Sequence, residues 1–160
     1  PIAVSGEESG VQADLTSDSS GPSPVPESAY DSCDLATLSS LAVSLTGRDP
    51  DVDSDALRLV IQAVDDYWQL ANPADLARFF AEPAPTGDPR WDAFLAGLAV
   101  HLIRQRGLPT TPAWTRSETR YVIPIWWWGE PSLAAYNLQR TPASMRCRGV
   151  IFNADNLVSL

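Results

Sequence analysis

The stretch from Asp88 to Gly107 constrains this chain more than any other part of it. Asp88 offers a capping carboxylate immediately before Pro89, whose fixed φ and missing N–H suit the first position of a helix. Trp91, Phe94, Leu95, Leu98, Leu102 and Ile103 then recur at helical spacing, and Gly107 stands where a C-terminal cap belongs. The pattern predicts a long amphipathic helix that serves as the spine of a core. A chain built on such an element buries its apolar surface against further helices.

The segments before it read the same way. Leu35, Leu38, Leu41 and Leu45 fall on one face of a helix that begins near Asp34 and stops at Gly47. A second helix follows the acidic run Asp51 to Asp55, with Leu57, Val60, Ile61, Val64, Trp68 and Ala71 as its core stripe. Asn72-Pro73 repeats the cap-then-proline signal and opens a short helix carrying Leu76, Phe79 and Phe80. Beyond the central helix, Pro109 and Pro112 force a loop, and Trp114 to Trp128 read as extended or irregular chain broken by Pro124. Residues 132–140 and a short segment opening at Thr141-Pro142 are helical, and 150–152 form one short strand. The expected fold is all-α or mostly α, a single bundle-like domain over residues 34–160.

Residues 1–33 differ in kind. They are rich in Ser, Gly, Pro and acid, and such a segment buries too little surface to offset its ordering entropy, so a disordered acidic leader or linker is expected. Residues 1–47 carry Glu7, Glu8, Asp14, Asp18, Glu27, Asp31 and Asp34 and no basic residue, whereas residues 90–160 carry eight arginines. The formal net charge of −9 therefore belongs mostly to the leader. No apolar run reaches the length of a membrane span and no secretory signal is present, which reads as a cytoplasmic protein.

Few residues suggest chemistry. Cys33 and Cys147 read as free thiols, too few for a disulfide framework or a metal site. His101 lies beside the apolar stripe without the partners that a triad or a metal requires. Asp65 and Asp66 are adjacent on a helix and diverge, so they cannot share a proton. No Gly-rich phosphate loop or nucleophile elbow occurs. We expect no catalytic residue, no metal and no cofactor.

What remains is a concentration of arginine and tryptophan. Arg104, Arg106, Arg116 and Arg120 form one group and Arg140, Arg146 and Arg148 another, interleaved with aromatic residues. This is the composition of protein-interface hot spots and also of single-stranded nucleic-acid platforms. Three consecutive tryptophans cannot all face one way in extended chain, so one or two of Trp126, Trp127 and Trp128 should be buried and one partly exposed. Arg146 and Arg148 are both expected beyond the apolar face that carries Met145. A DNA-binding helix-turn-helix within residues 54–82 is disfavoured, because Arg58 and Arg78 there face Asp53, Asp55, Asp65, Asp66, Asp75 and Glu82.

The ordered motifs TGDPRWDAFLAGLAVHL, RQRGLP, PAWT, PSLAAYNL, TPASMRCRGVIF and DNL, over about residues 70–160, resemble the C-terminal domain of actinobacterial helix-turn-helix (XRE-type) proteins encoded beside nucleotidyltransferase toxins. Trp91, Gly107, Pro109, Trp114, Pro131, Leu133, Pro142 and Gly149 carry the pattern. The loop GLPTTPAWT is one residue longer than the usual form, and the acidic leader stands where the family has its DNA-binding domain. The resemblance implies an antitoxin-like, non-enzymatic interaction module that binds a nucleotidyltransferase-type partner through Trp126, Trp127, Trp128, Arg140, Arg146 and Arg148. The alternative is a nucleic-acid-binding or transcription-regulator-associated protein using the same surface.

Overall fold

The computed structural model describes residues 36–158. The leader and Cys33 lie outside the described residues. Within them run α1 (Leu38–Leu45), α2 (Asp55–Gln69), α3 (Pro73–Phe79), α4 (Pro89–Arg106), β1 (Trp126–Trp127), α5 (Ala134–Arg140), α6 (Ala143–Arg146) and β2 (Val150–Ile151), joined in part by 3-10 turns. The fold is mostly α.

Capping chemistry explains most boundaries. Asn72 accepts from the Ala74 N–H at 2.8 Å and Asp88 from the Arg90 N–H at 2.8 Å, each ahead of a proline at the first helical position. Gly107 closes α4 in the left-handed conformation, at φ 69°. The first helix starts at Leu38, later than its leucine spacing suggests. Thr37 Oγ1 accepts from the Ser40 N–H, and Ser40 Oγ accepts from the Thr37 N–H, a reciprocal box that fixes the start there.

The core stripe of α2 is rotated from the expected one. Tyr67 is fully buried and Trp68 is 44% exposed, while Ala71 lies beyond the helix. Tyrosine is favoured inside because its hydroxyl donates to the Leu102 carbonyl of α4 at 3.2 Å, while its ring meets Phe79 and Phe80.

α4 also departs from its amphipathic reading. Every residue from Trp91 to Val100 is buried. This stretch is enclosed by α1, by α6 and β2, and by the 3-10 turns Ala113–Arg116 and Glu118–Arg120, whereas Arg104 and Gln105 near the end of the helix are exposed. Gly97 allows α6 to come close: a Cβ there would lie 2.8 Å from Met145 Cγ and 3.0 Å from Met145 Cα.

β1 and β2 pair in parallel, Trp126 with Val150 and Trp127 with Ile151. The join extends past them, with the Val122 N–H donating to the Arg148 carbonyl at 3.0 Å, the Trp126 N–H to Gly149 at 2.8 Å and the Trp128 N–H to Ile151 at 2.9 Å. Gly149 has φ 79°, and a Cβ on it would stand 2.2 Å from the Val122 carbonyl oxygen. Only glycine fits that crossing. Among the described residues no helix is long and apolar enough to cross a membrane.

Candidate functional site

The pleat of β1 sorts the three tryptophans. Trp126 and Trp128 share its inner face and their rings stack at 5.6 Å. Trp128 meets Trp91 at 5.0 Å, Phe94 at 4.9 Å and Phe152 at 4.8 Å between ring centres. Trp126 meets Trp91 at 5.6 Å and donates its indole N–H to Asp51 at 2.9 Å. Trp126 is thus a buried core residue rather than a contact surface, and Trp128 is partly buried against the same core. Trp127 points the other way.

Trp127 does not stand alone. Along residues 121–127, Tyr121, Ile123, Ile125 and Trp127 are 40%, 94%, 58% and 42% exposed, Pro124 between the isoleucines is exposed as well, and Val122 and Trp126 are buried. Ile123, Pro124 and Ile125 also border a depression of about 420 Å³ shared with residues 87–90 at the start of α4. Sequence reasoning missed the two isoleucines, because exposure of such residues follows from how the segment is pinned and not from their type.

The arginines divide into structural and free groups. Arg148 is 5% exposed, donating to the carbonyls of Ser144 at 2.5 Å and Thr115 at 2.7 Å and lying over the Tyr121 ring. Its expected place on a binding surface is corrected: it ties α6 to the turn at 113–116. Arg120 is likewise interior, donating to the Pro83 carbonyl at 2.7 Å, 3.4 Å from Asp92 and over the Trp114 ring. Arg106 donates to the carbonyls of Tyr67 and Leu70. Arg140 is exposed, paired with Asp155 and lying over Tyr136. Arg146 is exposed on α6.

Other candidates stay quiet. His101 is half-buried, and burial pulls its pKa below the ordinary histidine value. Asp66 accepts from Gln62 and from the Ala36 N–H, a structural role. Among the described residues no three His, Cys, Asp or Glu side chains are grouped to hold a metal. Cys147 is a free, exposed thiol. No protein-family model, no characterised protein and no solved structure matches the chain.

Proposed function

We propose that this is a cytoplasmic, non-enzymatic interaction module that binds a protein partner through the ridge Ile123, Ile125 and Trp127, with Arg140 and Arg146 as outlying charged contacts. The observation that carries this reading is the ridge itself. Four large apolar or aromatic side chains are exposed along residues 121–127, a segment whose flanking residues Val122, Trp126 and Trp128 are hydrogen-bonded to residues 148–151. Exposed apolar surface of this kind costs solubility and is characteristic of contact sites. The backbone on both sides of Trp127 is already hydrogen-bonded, at Trp126 and Trp128, so this aromatic anchor loses little freedom on binding.

The sequence resemblance makes a nucleotidyltransferase-type toxin the first partner to test, with this chain as its antitoxin-like neutraliser. The experiment is titration calorimetry of the full chain against the product of the neighbouring gene. Ile123→Glu combined with Trp127→Ser is expected to weaken association by roughly tenfold or more while circular dichroism is unchanged. Equal affinity of the variant, or no association of the parent chain, rejects the reading.

A further inference from the structure

A second feature lies away from the tryptophans, in a cleft between the C-terminal half of α4, the turns after it and α6. It is lined by Val100, Arg104, Thr111, Thr115, Arg116, Tyr121, Ala143, Ser144, Cys147 and Arg148, and encloses about 380 Å³. Among the described residues three arginines and no Asp or Glu line this space, in a chain whose formal net charge is −9.

Among the described residues two of these charges are also uncompensated. Arg48, Arg58, Arg78, Arg90, Arg120 and Arg140 have carboxylate partners, and Arg106 is committed to carbonyls. Among the described residues the guanidinium groups of Arg104, Arg116 and Arg146 have neither an ion pair nor a side-chain hydrogen bond, and the first two belong to the cleft. Beneath them, Arg148 Nε is buried without an acceptor and Ser144 Oγ is buried without a partner. Buried donors in native proteins are almost always satisfied, so two orphaned polar atoms on residues that line one cleft, Ser144 of α6 and Arg148 just after it, mark a place where an acceptor belongs.

We propose that this cleft binds the phosphate group of a small phosphorylated molecule. The free guanidinium groups of Arg104 on α4 and Arg116 on the 113–116 turn, with the one uncommitted N–H of Arg148, its Nε, offer donors to a group bearing two negative charges and three acceptor oxygens. A carboxylate presents only two oxygens and one charge, and would leave part of this set unmatched. The volume lies within the range of small-molecule pockets, leaving space beside Tyr121 for what the phosphate is attached to. A nucleic-acid strand instead requires phosphate contacts repeated along a groove with stacking platforms.

The test uses the full chain, with inorganic phosphate and a nucleoside monophosphate as probes, followed by calorimetry and by alkylation of Cys147. That thiol is exposed in the same cleft, 3.5 Å from Arg148 Nη1, and Cys33 provides the reference rate in peptide-resolved mass spectrometry. The expected result is saturable binding of both probes, slower alkylation of Cys147 relative to Cys33, and roughly tenfold weaker binding in Arg104→Gln/Arg116→Gln with an unchanged melting temperature. Arg58→Gln/Arg78→Gln removes the same charge from α2 and α3 and is expected to bind like the parent. The proposal is overturned by an absence of saturable binding, by equal weakening in both double variants, or by binding only of single-stranded oligonucleotides. Because the ridge variant leaves this cleft untouched, failure here is distinct from failure of the protein-partner reading.

Discussion

Arg146 and Arg148 stand two residues apart, and the same substitution at each is expected to have opposite consequences. Arg148→Ala removes two short charge-assisted bonds, to the carbonyls of Ser144 and Thr115, and leaves both buried oxygens short of a donor. Hydrogen bonds to charged groups contribute about 1.5–3 kcal/mol each, giving a gross loss of about 3–6 kcal/mol. Part is recovered, because a guanidinium with no carboxylate partner no longer has to be desolvated. The net cost is about 3 kcal/mol, lowering the melting temperature of a domain this size by roughly 10 °C. Arg146→Ala takes an exposed side chain off α6 and should change stability by no more than about 0.5 kcal/mol. Arg148→Lys restores the charge but not the two-pronged reach, so it should lie closer to alanine than to the parent. Urea melts of the three variants decide the matter, and similar midpoints for Arg146→Ala and Arg148→Ala would show that Arg148 does not join α6 to the 113–116 turn.

Gly149→Ala is expected to cost more than about 3 kcal/mol or to abolish folding, since its methyl meets the Val122 carbonyl and its φ is positive; a denaturant midpoint near the parent's would refute the crossing. For Gly97→Ala the sign is the test. Helix propensity alone predicts a gain of about 1 kcal/mol, whereas overpacking against the Met145 backbone costs about 1–3 kcal/mol, and a net loss is expected; a stabilised variant argues against the close approach of α6. Leu98→Ala, fully buried on α4, should lose about 2–5 kcal/mol, and a loss below about 1 kcal/mol is incompatible with an enclosed helix. His101 resists protonation in the folded state, so the unfolded chain takes up its proton first as pH falls below about 6.5, and stability declines from there downward. His101→Gln should flatten the change in melting temperature between pH 7.5 and 5.5; an unaltered slope excludes His101 as its source.

The amino-acid sequence by itself determined where most helices begin and end, because those boundaries are set by groups within a few residues of each other. Asn72 and Asp88 cap their own helices ahead of prolines, and Gly107 closes α4. Even the misjudged start of α1 was local: the box between Thr37 and Ser40 spans three residues and was overshadowed by leucine spacing. The central place of α4 was legible too, although its apolar count understated how completely neighbours enclose it.

Tertiary structure alone decided which side chains are available for function. Trp127 is exposed because β1 pairs with a strand more than twenty residues later in a register that turns Trp126 and Trp128 onto Trp91 and Phe94. Tyr67 displaced Trp68 from the core through a carbonyl 35 residues away. Arg148 is structural and Arg146 is not because only Arg148 reaches the Thr115 carbonyl, 33 residues back. The cleft gathers Arg104, Arg116 and Arg148 from three separate segments. Local chemistry sets the conformation of a segment, but the identity of its neighbours comes from long-range packing and hydrogen bonding, which residue type and spacing along one chain do not encode separately for adjacent, chemically similar side chains.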